Sequence, residues 1–329
     1  MLSITREITT ITNTPKYWLS WRTLPILWLF YVGNTLACTF SSPTVTLPPN
    51  SSFNVNTLTE SGSGTIAMLC TGTGVSLLAS PVLNATVAST TNTLKLKNSA
   101  GDVIPYTIYS DAGYNNAIAI GNVINYAGNS SLLIVTLFQI SANLPIYIRT
   151  GSNNAINVNV SAGTYTDVIN LNWNYDLCAI SLFSLCLGGR FSGTATSTVT
   201  VKLTVSNDCV INSAPNVNFG SYALITQFAP VNQNISATCT KNATFTTYIT
   251  NGNNFVAPWP RMKLTSGTDY LQYQLYQGAG VIPWNVTNKR TSTATGTQQL
   301  IPYNAVINPQ QAQKTVGTYQ DNVSVVLEY

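Results

Sequence analysis

The chain contains no histidine, and only 7% of its residues are charged. Without histidine there is no Ser-His triad, no imidazole general acid or base and no His-ligated zinc. No two cysteines stand at Cys-x2-Cys spacing, so a cysteine-only zinc site lacks its usual pattern, and no motif calls for a metal or any other cofactor. Lys and Arg number 14 against 10 Asp and Glu, too small an excess to argue for nucleic acid. Asp102, Asp111, Asp167 and Asp176 are the candidates for a glycosidase-like carboxylate pair. Each stands near Gly or Asn, as a turn residue does, and an enzyme is not expected. Past the N-terminus no segment is long and apolar enough to span a bilayer, and none shows a capped helical period.

The first residues differ from the rest. Arg6, Lys16 and Arg22 precede the apolar run Leu24 to Val32, and Thr35-Leu36-Ala37 supplies small residues before Cys38. This reads as a secretory signal over residues 1–37, leaving an exported chain of roughly 290 residues, enough for two domains. All six cysteines fall in that exported part, and an even count in an exported protein predicts disulfides.

What remains is strand signal. Thr, Val, Ile and Tyr alternate with small polar residues, and Gly, Asn and Pro clusters punctuate them at short intervals. The fold class is all-β, with Ig-like sandwiches. The halves also repeat: "LKLKNSAGDVIPYTIYSDAG" (94–113) parallels "RMKLTSGTDYLQYQLYQGAG" (261–280), and "GTYTD" (163–167) parallels "GTYQD" (317–321). Two copies of one domain are expected, over 38–206 and 207–329. Matching copies imply matching disulfides, Cys38–Cys70 and Cys209–Cys239, which leaves Cys178 and Cys186 for each other. That last bridge closes the loop "CAISLFSLC" and restricts the unfolded chain by about 2 to 3 kcal/mol.

The copies differ in two places. Residues 141–162 of the first correspond to the shorter stretch 308–316 of the second. The first copy also continues into "GTATSTVTVKLTV" (193–205), where Val199, Val201, Leu203 and Val205 alternate with Thr and Lys as one more strand. The second copy stops at Tyr329 without it. A sandwich lacking its last strand exposes an unpaired edge and an apolar groove, which a partner strand must fill. Val323, Val325 and Leu327 alternate on the final strand and are expected to line that groove. With Cys38 at the expected mature N-terminus there is no extension to donate, so the subunit accepts a strand without giving one.

At this point the second copy resembles the spore coat protein U-type pilin domain of archaic chaperone-usher pili. Cys209, "FGSY" (219–222), Cys239 in "ATCTKNATF", "GTYQD" and the terminal Tyr329 carry the resemblance. The two-domain layout resembles the tip adhesins of Csu-type pili. The resemblance implies an incomplete pilin domain completed by a periplasmic chaperone, export through an outer-membrane usher, a strand from the adjacent pilin subunit, and a location at the pilus tip. It also implies finger-like loops that attach to hydrophobic or abiotic surfaces in biofilm formation. The first copy lacks the Phe-Gly-x-Tyr motif, offering only "SSFNVN" (51–56), and supplies its own closing strand, as a receptor-binding domain would.

Strand 193–205 runs toward the linker, so the loop before it lies at the far end. Ile180, Leu182, Phe183, Leu185 and Leu187 are therefore the expected surface-binding residues, worth roughly 5 to 10 kcal/mol together. Two further stretches are open to either a finger or a plain strand-and-turn reading: "NLPIYIRTGSNNAI" (143–156), with Leu144 and Ile146, and "AGYNNAIAIGN" (112–122), with Ile118 and Ile120. The alternative is a lectin-like tip binding a host glycan through Asn172, Trp173, Asn174, Tyr175 and Asp176.

Overall fold

Strict alternation of apolar and polar residues builds the strand that organises the first half of the molecule. Val199, Val201, Leu203 and Val205 are buried, while the Thr and Lys residues between them face outward, the period of two that a half-buried strand imposes. The computed structural model describes residues 37–72, 75–77, 81–127, 133–136, 139–151, 159–182 and 185–329, so all of the expected leader except Ala37 lies outside the described residues.

The first sandwich begins with β1 (Cys38–Phe40), β2 (Thr44–Thr46), β3 (Asn50–Ser51), β4 (Ser61–Thr71), β5 (Val75–Leu77), β6 (Val82–Thr90) and β7 (Lys95–Lys97). It continues with β8 (Val103–Tyr109), β9 (Ala117–Ile118), β10 (Val123–Asn125), β11 (Leu133–Thr136), β12 (Gln139–Thr150), β13 (Gly163–Leu182) and β14 (Leu185–Ser206). Its ladder runs β1-β4-β12-β8-β7-β13-β14-β2 and doubles back through the β7–β8 hairpin. Inward residues from both limbs, among them Ile66, Met68, Ile108, Ile146, Leu171 and Trp173, form one core. Strand β14 lies between β13 and β2, antiparallel to the first and parallel to the second. This sandwich therefore supplies its own closing strand.

The second sandwich comprises β15 (Cys209–Ser213), β16 (Val231–Cys239), β17 (Thr244–Ile249), β18 (Arg261–Leu264), β19 (Tyr270–Gln277), β20 (Arg290–Thr293), β21 (Gln298–Ile307), β22 (Tyr319–Gln320) and β23 (Val325–Glu328). One sheet has the order β15-β16-β21-β19-β18-β22, the other β20-β17-β23. A separate core of Ile235, Phe245, Ile249, Leu275, Trp284 and Tyr303 lies between them. Strand β23 pairs with β17 alone among the described residues, leaving its outer edge open.

The repeated Gly-Thr-Tyr-x-Asp motif makes the same corner twice. Tyr165 Oη donates to the Ser161 carbonyl at 2.6 Å and Tyr319 Oη to the Thr315 carbonyl at 2.7 Å. Asp167 then accepts the Tyr106 hydroxyl at 2.9 Å and the Asn92 amide, as Asp321 accepts the Tyr273 hydroxyl at 2.8 Å and the Asn253 amide. Burial, reinforced by the facing carboxylate, pushes both Tyr106 and Tyr273 well above the usual phenol range. The motif is thus a structural lock joining distant strands, and Asp167 is consumed by it.

The disulfides follow the repeat. Cys38–Cys70 joins facing residues of β1 and β4, and Cys209–Cys239 joins facing residues of β15 and β16, each with Cα atoms 4.1 Å apart. Cys178–Cys186 crosses between β13 and β14 with Cα atoms 5.6 Å apart.

Candidate functional site

Strands β13 and β14 form one hairpin whose length decides where its end lies. β14 has 22 residues, about 70 Å if fully extended. It starts beside the hairpin turn and finishes at Ser206, next to the linker. The turn and the linker therefore occupy opposite ends of the first sandwich. Leu177 and Phe191, which face each other, are the last facing pair of the first core cluster among the described residues. The disulfide begins immediately beyond, and Ile180 faces Leu187 while Leu182 faces Leu185. Phe183 lies outside the described residues.

The topology brings two other connections to this end. β5 pairs with the tip of β14, Val75 opposite Leu187 and Leu77 opposite Leu185. β12 starts with Gln139 opposite Thr71, and Thr136 of β11 faces Gln139, so the paired ends of β11 and β12 lie beside the end of β4. The sequences here, Val75-Ser76-Leu77 and Leu133-Ile134-Val135-Thr136, are as apolar as the hairpin end. Their runs of Leu, Ile and Val were legible signals, but sequence reasoning used the second only to align the repeats.

Three expectations are corrected. Leu144 and Ile146 are 0% exposed, because residues 139–150 form β12 and its alternation turns Ile140, Ala142, Leu144, Ile146 and Ile148 inward. They are core rather than a finger. Residues 112–122 do reach the surface at Ile120, 39% exposed, but Ile118 packs half-buried against the core. Gly121 is hydrogen-bonded to Val87, which faces Leu171. That loop therefore sits about 35 Å short of the hairpin end.

The lectin constellation is divided between two faces of β13. Trp173 and Tyr175 point inward, Trp173 stacked on Phe40 with centroids 4.2 Å apart and donating its indole N–H to Ser197 Oγ at 2.9 Å. The Tyr175 hydroxyl accepts the Cys38 amide at 3.1 Å. Asn172 and Asn174 face outward, and Asp176 is held bidentately by Arg190 at 2.7 and 2.5 Å. The Arg190 hydrogen bonds keep Asp176 below the usual carboxylate range. No common concavity gathers these residues. Of the other carboxylates, Asp111 accepts the Asn116 and Asn115 amides of its own turn, and Asp102 is bound to Lys241.

The second sandwich carries a groove of about 450 Å³ between its sheets. One wall is the final segment, including Tyr319, Val323 and Val325; the other is residues 214–219, which form no strand. Ile235, Ile249 and Leu275 make the apolar floor, and Tyr273 with Asp321 adds a polar rim. Val325 lines the groove half-buried, and Val323 is 39% exposed on it. Leu327 packs half-buried against the core beyond the groove's lining residues. The opposite wall was missed because an irregular stretch has no periodicity to read.

Among solved structures, the chain is similar to the chaperone–tip adhesin subunit pre-assembly complex CsuC-CsuE from archaic chaperone-usher Csu pili of Acinetobacter baumannii. Identity is 22%, coverage 89% of this chain and 100% of that one, and the TM-score 0.52. The CupB6 tip adhesin of Pseudomonas aeruginosa aligns at 11% identity over 89% and 94% of the two chains, TM-score 0.36. CfaE, the adhesive subunit of CFA/I fimbria of enterotoxigenic Escherichia coli, aligns at 10% over 87% and 97%, TM-score 0.35. The sequence matches none of the curated proteins. The Spore Coat Protein U domain matches it twice, over residues 32–172 and 195–326. The stretch between the matches, 173–194, is the outer part of the β13–β14 hairpin and is covered by neither match. With both sandwiches matched over most of their length, the chain belongs to the Spore Coat Protein U domain family.

Proposed function

We propose that the chain is the tip adhesin of an archaic chaperone-usher pilus, attaching cells to hydrophobic or abiotic surfaces. On this reading residues 1–37 are a cleaved leader, 38–206 the surface-binding domain and 207–329 the pilin domain. A periplasmic chaperone fills the groove beside β23, the outer-membrane usher receives the complex, and a strand from the adjacent pilin replaces the chaperone.

The observation that carries the reading is the hairpin: it extends past the family match, ends in apolar sequence, and ends opposite the linker. Ile180, Leu182, Phe183, Leu185 and Leu187 are its contact residues, with Val75 and Leu77 of β5 beside them. Each large apolar side chain taken from water contributes about 1.5 to 3 kcal/mol, so a few partial contacts suffice, and many pili per cell multiply them by avidity. No shaped pocket is required.

The test replaces Ile180, Leu182, Leu185 and Leu187 by Ser together and measures attachment to polystyrene. Attachment is expected to fall to the level of cells without pili while pilus number stays unchanged. Full attachment by normally piliated mutant cells would overturn the assignment.

A further inference from the structure

The linker between the sandwiches is short and pinned on both sides. Only Asn207 and Asp208 separate β14 from β15. The Ser206 carbonyl accepts the Ser52 amide at 3.1 Å, and the Asp208 carbonyl accepts the Thr240 amide at 2.9 Å. Thr240 Oγ1 also accepts the Asp208 amide at 2.7 Å and lies 2.6 Å from Ser52 Oγ. Ser52 and Thr240 belong to different sandwiches and are 3% and 1% exposed. A hydroxyl pair buried this completely persists only where the surrounding surfaces hold it closed.

A second set of contacts lies beside the linker. Lys241 Nζ donates to Asp102 Oδ1 at 2.6 Å, and the same carboxylate accepts the Ser161 amide at 2.8 Å and the Ser161 hydroxyl at 2.6 Å. Ser161 and Lys241 themselves form a parallel β-bridge. Asn98 and Tyr165 hold Ser161 from behind, at 2.9 and 2.6 Å. Farther out, Asn159 Nδ2 donates to the Thr295 carbonyl at 3.1 Å. Gly296 follows with φ +80°, and a Cβ there would come within 1.7 Å of the Asn159 side chain. The turn between β20 and β21 is thus cut to fit the first sandwich. A cavity of about 170 Å³ lined by Ser52, Asn56, Asn159, Thr240 and Thr297 separates the linker clamp from this outer contact.

We infer that this junction is a built polar brace that makes the two sandwiches one rigid body. It holds the hairpin end in a fixed direction relative to the strand-accepting groove. A two-residue linker alone leaves bending and twisting open; three contacts placed off the linker axis close both. Default interfaces between tethered domains allow relative motion, whereas here the contacts are directional hydrogen bonds and an ion pair, and Ser161 orients the Asp102 carboxylate that Lys241 holds. Force applied at the hairpin end passes down β14 into β15 and its Cys209–Cys239 bridge, with the brace resisting the bending component. The inference rests on the junction's own contacts, and holds whether or not the hairpin end is the adhesive surface.

Proteinase Asp-N, which cuts before aspartate, is the probe, because Asn207-Asp208 is cleavable only when the clamp opens. The full exported chain, purified from the periplasm with its chaperone, is compared with Lys241→Ala and Gly296→Ala. Cleavage at Asp208 is expected to rise about tenfold, equivalent to about 1.4 kcal/mol of lost closure, and small-angle scattering is expected to broaden toward larger maximum dimensions. Should Gly296→Ala unfold the second sandwich through its own turn, Lys241→Ala decides, since its surface side chain contacts the first sandwich through Asp102. Unchanged cleavage and scattering in Lys241→Ala, with both sandwiches folded, would refute the brace.

Discussion

Replacing Cys178 and Cys186 together by Ser tests how the hairpin end is held. The bridge spans a sequence separation of 8, and closing so short a loop restrains the unfolded chain by about 2.5 kcal/mol. Where that stabilisation acts follows from burial. Leu177 and Phe191 are the last facing pair of the first core cluster among the described residues; Cys178 follows directly, and Cys186, though buried, lies outside that cluster. The hairpin end therefore opens by itself, without unzipping the sandwich. Hydrogen exchange read by mass spectrometry on the chaperone-bound chain is the assay. Amides of 179–189 are expected to lose protection by up to roughly 60-fold, the factor that corresponds to 2.5 kcal/mol, while amides of 165–177 keep theirs and the melting temperature is unchanged. Protection lost evenly along both strands would show that the bridge supports the whole sandwich. Protection unchanged in 179–189 would show that it braces nothing.

Two further outcomes follow from the groove and the junction. Val325→Asp places a carboxylate in the apolar groove, where an unpaired charge costs several kcal/mol; the subunit is expected to disappear from pili, scored by immunogold counts, while the first sandwich keeps its fold. Normal surface amounts would contradict the groove assignment. At the junction, burial raises the Asp102 pKa, but the hydrogen bonds from Lys241 and Ser161 outweigh it and hold the carboxyl below its ordinary range. Tyr165, pushed up to about 12 mainly by burial, stays neutral. A depressed carboxyl pKa contributes stability above the unfolded value of about 3.9 and loses it as pH falls through the folded value. Scattering is expected to report one rigid shape from pH 7 to 5 and a broadened one only below the ordinary aspartate range; broadening already at pH 5 to 6 would contradict this.

Much of the fold was legible because it rests on period and repetition. Val199, Val201, Leu203 and Val205 announced β14 by alternation, and the repeated cysteines and Gly-Thr-Tyr-x-Asp corners announced two copies of one domain. The site was less legible for a physical reason. Alternation says that one face of a strand is buried without saying which strands reach which end, so Leu144 and Ile146 read as a finger until β12 turned them into the core. The same ambiguity joined Trp173 and Asp176 into one cluster, although neighbouring residues of odd spacing on a strand occupy opposite faces. Asp102 and Lys241 were invisible as a pair because nothing local links residues so far apart in sequence.

The two sandwiches meet the same edge problem in opposite ways. A sheet edge exposes unpaired amides and carbonyls and invites another strand. The first copy covers its edge with β14, which carries the chain onward into β15. That continuity forces β14 to start far from the linker, so any length added between β13 and β14 emerges at the pole facing away from the second sandwich. Residues 173–194, which neither family match covers, are the outer part of that connection. In the second copy β23 pairs with β17 alone among the described residues, and its outer edge and the groove beside it are open. The closing strand β14 thus decides two properties together: it closes the core of the first copy and gives that copy a place to extend an outward hairpin, whereas β23 keeps an open edge among the described residues.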